Sequence, residues 1–279
     1  MSRLATHFAK NTRVLRTDQP LSEDQMRAVA PSVFAEGKHQ SRSERYTYIP
    51  TIEVLRGLGR EGFQPFMVAQ SRSRVEGKAD FAKHMIRLRH AAQVNAKGEA
   101  NEIILINSHD GASSYQMLAG MFRFVCCNGM VCGTVTEDLR IPHKGDIQDQ
   151  VIDGAFRVLE DFEAVDESSS GMKALALNPG EQNAFAEAAL TLRFGERADG
   201  KPAPITARQL NEARRAADTG GDLWTTFQRV QENSTRGGLI GRAANGQRIR
   251  TREVSGIDGN VSLNRALWVL AEEMRKLKA

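Results

Sequence analysis

The stretch EIILINSHDGASSYQMLAGMFRFVCCNGMVCG, Glu102–Gly133, decides the fold. Ile103 to Ile106 make a short apolar run rich in β-branched residues, the composition of a buried strand. Asp110-Gly111 is a hairpin-type turn signal, since glycine reaches positive φ at no steric cost. SSYQMLAGMFRFV leads out of that turn, and its periodicity fits strand or helix. Asn128-Gly129 is a second turn signal. A strand entering a tight turn implies antiparallel pairing, so this stretch reads as the centre of an antiparallel sheet. It also holds His109-Asp110, Arg123 and all three cysteines, which makes it the first place to look for chemistry.

Toward the N-terminus the pattern alternates between periods. TIEVLRGLGR sets Ile52, Leu55 and Leu58 at helical spacing, with Pro50 suited to a first turn and Glu53 at the positive end of the dipole. Gly59 and Gly62 stop that helix. FQPFMVAQSRS then reads as a strand. FAKHMIRLRH is read as a strand too, with Lys83, Met85, Arg87 and Arg89 on one face and Ile86 and Leu88 on the other. Residues 1–45 read as a weakly ordered lead-in with one short helix.

Toward the C-terminus the sequence turns helical. DIQDQVIDGAFRVLEDFEAV carries Ile147, Val151, Val158, Phe162 and Val165 on one stripe, and Glu167–Gly171, ESSSG, is the linker candidate. EQNAFAEAALTLRF is a helix, and TARQLNEARRAA starts one with a Thr206…Gln209 capping box. Asp222 caps a helix bearing Leu223, Trp224, Phe227 and Val230. A last helix places Leu263, Leu267, Leu270, Met274 and Leu277 at steps of four and three, more in the manner of a core-facing helix than of a coiled coil. The predicted class is α+β: an antiparallel sheet in the N-terminal half packed by helices, then a mostly helical half. The expected divisions are the lead-in, a sheet-containing core over 46–166 and a helical region over 172–279. That region carries an Arg/Gly-rich loop at 234–256, and packing on the core as one domain is allowed.

The chain has 279 residues, 41% hydrophobic and 26% charged, enough for a substantial core. No run of 18 apolar residues exists, so no membrane span is expected, and the N-terminus lacks the apolar region of a secretory signal. Three cysteines, two of them adjacent, give no disulfide framework; a reducing cytoplasm is expected. Charge is unevenly spread. Residues 1–100 carry 17 Lys/Arg against 10 Asp/Glu, residues 137–199 carry 6 against 14, and residues 200–279 carry 14 against 8. Two basic segments flank an acidic middle, an arrangement compatible with a polyanion site.

Most motif-like features reduce to structure. GLGREG, Gly57–Gly62, has the GxGxxG spacing of a dinucleotide loop, but here the helix precedes the glycines and the strand follows. His109-Asp110 resembles the metal-binding pair of HD phosphohydrolases, yet the histidines at 7, 39, 84, 90, 109 and 143 show no partner spacing. Cys126, Cys127 and Cys132 lack the paired CxxC spacing of structural zinc. Two basic features stand out instead. Arg72, Arg74, Lys83, Arg87 and Arg89, with Arg123, would form a basic ladder on the sheet and could track phosphates. Arg236, Arg242, Arg248, Arg250 and Arg252 fall in a Gly-rich stretch with no acid between Arg236 and Arg252, and Arg248, Arg250 and Arg252 alternate as along an exposed hairpin.

INSHDGASSYQMLAGMFRFVCCNGMVCG, KHMIRLRH and DLWTTFQRVQENSTRGGLIGR together resemble the YfjQ/YafZ-like family of uncharacterised plasmid- and prophage-borne bacterial proteins. The resemblance covers roughly residues 40–279 and implies a mobile-element context; it brings no activity and no catalytic residue. In architecture and charge the chain also resembles the single-strand annealing superfamily of RecT, Red-beta and Erf, which implies ring- or filament-forming oligomers that hold single-stranded DNA without chemistry. The expected function is therefore a non-catalytic single-stranded DNA-binding protein promoting strand annealing or recombination, a homo-oligomer with no catalytic residue, metal or cofactor. Two alternatives stand beside it. One is a metal-dependent nuclease or phosphohydrolase using His109, Asp110 and acids of 137–167. The other is a protein-binding regulator acting against host defence.

Overall fold

The computed structural model describes residues 12–42, 46, 48, 50–73, 75, 77–93, 98–124, 128–133, 139–141, 147–195 and 203–278. Arg74, Cys126, Cys127 and His143 lie outside the described residues, as do the first eleven positions of the expected lead-in. The chain divides into two compact units. One runs up to Phe162 and includes Ser255–Ile257; the other comprises Glu163–Val254 and the residues from Asp258.

The first unit is built on an antiparallel sheet. Its strands are β1 (Thr12–Arg16), β2 (Phe63–Ser71), β3 (His84–His90), β4 (Glu99–Asn107), β5 (Tyr115–Arg123), β6 (Asn128–Val131) and β7 (Leu139–Ile141). They pair in sequence order from β1 to β6, and β7 pairs with the Tyr115–Met117 end of β5. The stretch left open as strand or helix is thus β5, paired along its length with β4. The Asp110-Gly111 turn joins those two strands, with Gly111 at φ 75. The expected second turn is corrected: Asn128-Gly129 opens strand β6, with Gly129 opposite Phe122. The lead-in holds a short helix as expected, α1 (Glu23–Val29), which Ser22 caps with a full capping box; its reading as weakly ordered is corrected at Thr12–Arg16, which forms edge strand β1 on β2.

One face of the sheet, carrying Val68, Ile86, Leu88, Ile103, Leu105, Tyr115 and Met117, packs under α1, α2 (Thr51–Arg60) and the first half of α3 (Ile147–Ala174). Ile52, Leu55 and Leu58 supply α2's side of that core as their spacing predicts, together with Val54. Val151, Ala155, Val158 and Phe162 supply α3's side. The opposite face is buried as well. Opposed residues Arg16, Met67, Arg87, Ile104 and Leu118 share it. The sheet curls enough to bring the Arg16 guanidinium of β1 to 5.4 Å from the Phe122 ring of β5. A register shift between Pro65 and Met67, the kind of bulge that sharpens strand twist, contributes to the curl.

The second unit is mostly helical. Besides the end of α3 it contains α4 (Pro179–Phe194), α5 (Ala207–Leu210), α6 (Leu223–Arg236) and α7 (Ile257–Lys278), with a two-stranded ribbon of β8 (Ile240–Arg242) and β9 (Arg248–Arg250). Asn178, Thr206 and Asp222 cap α4, α5 and α6. Two expectations are corrected. The linker candidate Glu167–Gly171 lies inside α3: Ser169 is buried, and its hydroxyl donates to the Asp166 carbonyl, a helical bond that removes its turn-forming alternative. The helix begun by the Thr206 capping box ends at Leu210, because Asn233 Nδ2 donates to the Leu210 and Glu212 carbonyls at 2.8 and 2.9 Å where further helix would have used them.

Candidate nucleic-acid interface

The arginine-rich stretch folds as a pinned ribbon. Gly237 and Gly238 carry the chain off the end of α6 at φ 63 and 84. A Cβ on Gly237 would lie 2.7 Å from the Arg252 carbonyl oxygen, so the two limbs of the ribbon cross where only glycine fits. Beyond the crossing, Ile240 pairs with Arg250, Gly241 with Ile249 and Arg242 with Arg248. The turn at the tip closes with Ala243 N donating to Gln247 O and Gly246 N to Ala243 O.

Alternation gives the ribbon two faces. Gly241 lies against the 204–205 backbone: its Cβ would fall 2.0 Å from Pro204 O, and Arg242 N donates to that same oxygen at 2.8 Å. Gln209 Nε2 holds Ile240 O at 2.7 Å. The other face presents Ile240, Arg242, Arg248 and Arg250, all exposed. Arg242 stands directly across from Arg248, and like charges in that position repel. Arg248, Arg250 and Arg252 form no ion pair among the described residues.

Other arginines hold the ribbon from beneath. Arg193 donates from Nε to Ser234 O and from Nη2 to Arg252 O. Arg214 donates to Asn233 Oδ1 and Gly237 O, each at 2.6 Å. Arg236 is exposed but bonded to Glu232, a carboxylate also bound by Arg215. The sequence pointed to the outward arginines and missed Arg193 and Arg214. Their partners are backbone oxygens 41 and 23 residues away, which no local pattern encodes.

The sheet arginines belong to the first unit, and their expected role is corrected. Arg87 and Arg89 share a face, as alternation predicts, but both are fully buried. Glu102 takes Arg87 on one carboxylate oxygen and Arg89 on the other, each at 2.9 Å. Among the described residues the second cation, Arg89, has no second carboxylate. Its guanidinium lies 4.3 Å from the centroids of both the Phe66 and Phe122 rings and 5.1 Å from that of Phe124, whose π faces supply the compensating negative potential. The curl that closes this face withdraws both arginines from any strand of phosphates. Arg72 is exposed just after β2, Lys83 is half-buried just before β3, and Arg123 is half-buried on β5 opposite Glu99.

His109 proves to be part of a closed polar network. Thr51 Oγ1, in the first turn of α2, lies 2.9 Å from His84 Nε2 and 3.3 Å from His109 Nε2, and accepts from Asn107 Nδ2 at 3.0 Å. Ser32 Oγ lies 2.9 Å from His84 Nδ1 and donates to Gln70 Oε1 at 2.7 Å. Thr51, His84, Asn107, His109 and Ser32 are all solvent-inaccessible, so the network fastens α2 to the sheet. Burial, and next the neighbouring His109, push the His84 pKa down to about 3. Asp110 serves the turn, its Oδ1 accepting from Ala112 N. Among the described residues no three His, Cys, Asp or Glu side chains gather as metal ligands would, and no helix is long and apolar enough to cross a membrane.

Residues 38–268 match the family described as "Domain of unknown function (DUF932)". Two relatives from Escherichia coli (strain K12), "UPF0380 protein YafZ" and "UPF0380 protein YfjQ", are each 54% identical over 274 residues, covering 98% of this chain and 98% of their own length. No solved structure matches.

Proposed function

The chain belongs to the family described as Domain of unknown function (DUF932), and we propose that it is a non-catalytic single-stranded DNA-binding protein that promotes strand annealing. The observation that carries the reading is the Arg242–Arg248 cross-strand pair. Two cations stand opposite one another on an exposed ribbon, with Arg250 beside them and no acid between Arg236 and Arg252. Such a pair costs stability until an anion lies across it. Guanidinium groups bind phosphate oxygens bidentately, and alternate residues along a strand stand roughly 6.6 Å apart, a spacing that suits successive phosphates of an extended strand.

The ribbon offers one face to a strand. Its inner face is held on Pro204 and Gln209, which leaves the arginine-bearing face for a ligand. The outer face carries no aromatic residue, so the reading is of backbone and leaves most base edges free to pair. Neutralised phosphates on two complementary strands lower the repulsion between them, and annealing follows without bond chemistry. The proposed setting is the cytoplasm of a bacterium carrying a mobile element, where several copies of the chain would line one strand.

The test is the annealing rate of two complementary labelled oligonucleotides, with and without protein, in metal chelator at two salt concentrations. Acceleration that fades with salt supports the reading. Three phosphate contacts per ribbon predict a log–log salt slope of about −2 for single strands. No acceleration together with no mobility shift removes DNA and leaves the protein-binding regulator.

A further inference from the structure

The ribbon's outer face carries one residue that a phosphate track does not use. Ile240 stands among Arg242, Arg248 and Arg250, is 43% exposed, and faces Arg250 directly across the ladder. The neighbouring apolar side chain Ile249 points the other way, with Gly241, toward Ile205. Ile240 therefore contributes no core packing through its outer side, and an apolar surface surrounded by guanidinium groups asks for a partner that is apolar next to anionic charge. A nucleotide with its base unstacked has that composition: a π face one sugar away from a phosphate. A duplex does not present it, because its base faces are covered by their neighbours in the stack. We propose that Ile240 and the stem of Arg250 seat one unpaired base, and that this seat is what makes the ribbon prefer single strands to duplex. The inference rests on the single-strand reading above and adds the residue that sets the preference.

The experiment measures binding of the full-length protein to a fluorescein-labelled oligothymidylate and to the same oligonucleotide with abasic sites in place of thymidines, by anisotropy at fixed salt. Covering the exposed part of one isoleucine corresponds to about fivefold in affinity, so the wild-type chain is expected to bind the abasic strand about fivefold more weakly. Ile240→Ser is expected to bind both strands equally, at the abasic level, and Arg242→Ala to weaken both strands by the same factor. Ile240 is exposed, so Ile240→Ser should melt with the wild type, and a melting curve on the same sample checks it. Equal wild-type affinity for the two strands, or full discrimination in folded Ile240→Ser, overturns the base seat and leaves phosphate binding standing. No binding to either strand overturns the single-strand reading itself and the seat with it.

Discussion

Gly129 of β6 stands where the Arg87 guanidinium passes: a Cβ there would lie 2.6 Å from Arg87 Nη1 and 2.7 Å from Cζ. The same Nη1 donates to Glu102 Oε2 at 2.9 Å and to Met130 O at 3.1 Å. One missing methyl thus leaves room for a buried cation, its carboxylate and a strand carbonyl at once. Gly129→Ala is expected to push Arg87 off Glu102 and to cost ~3 kcal/mol, between the cost of overpacking and that of breaking a buried pair. Urea unfolding checks it, and an unchanged midpoint would mean that Arg87 has somewhere else to go.

That glycine also marks what the sequence could and could not tell. Asn-Gly is a turn signal by local chemistry, yet here the glycine is demanded by a side chain 42 positions earlier. The reading of Arg87 and Arg89 failed in a related way. Alternation correctly put them on one face, but whether a face is open depends on sheet curl, which lives in the Pro65/Met67 bulge and the approach of β1 to β5. Features set within four or five residues were legible: the α2 stripe, the Asp222 cap, the Thr206 box, the Asp110-Gly111 turn. The ribbon was legible too, because glycine spacing and acid-free arginine alternation are local. Thr51, His84 and His109 were not, since their contacts bridge 33 and 58 positions.

Charge count inside the curled sheet predicts an unequal pair of variants. Glu102→Gln leaves two buried guanidinium groups with no carboxylate among the described residues, and is expected to cost about 3–5 kcal/mol. Arg89→Met leaves the Arg87–Glu102 pair in balance and puts an apolar side chain among three phenyl rings, so its cost should be clearly smaller. Denaturant midpoints of the two proteins decide it; Arg89→Met as harmful as Glu102→Gln would show that the rings do not tolerate a neutral occupant.

Burial of His84 gives stability a pH dependence whose sign follows from its lowered pKa. In the folded chain it stays neutral, its pKa pushed down to about 3, while an unfolded histidine titrates near 6.5. Between those values the unfolded chain holds a proton that the folded chain does not. The contribution is whole above pH 6.5 and is lost as pH falls toward 3. At pH 5 the loss from this one residue is about 2 kcal/mol. The fall in unfolding free energy from pH 7.5 to 5.0 should be larger in the wild type than in His84→Gln, by about that amount. Parallel pH profiles would assign the effect elsewhere.

The two kinds of arginine in the helical unit should answer mutation in opposite directions. Arg229 is buried, and among the described residues its hydrogen bonds all end on neutral acceptors: Asn211 Oδ1, Asp218 O, Gly220 O, Gln182 Oε1 and Thr226 Oγ1, between 2.7 and 3.3 Å. It ties α4, α6 and the 211–220 segment together, so Arg229→Ala strands several buried acceptors and should cost about 3 kcal/mol. Arg248 touches nothing of that kind and faces another cation. Arg248→Thr removes the repulsion and puts a β-former on the ribbon, so stability should hold or rise. The same change should weaken polyanion binding and flatten the salt slope by about 0.7, one phosphate's share. Arg229→Ala must be read at a temperature where the protein stays folded, and there its salt slope should match the wild type. A residue whose removal stabilises the fold while weakening a ligand is held for the ligand. If Arg248→Thr instead lowers stability and leaves binding and slope unchanged, the ribbon's charge serves the fold and the nucleic-acid reading loses its carrier.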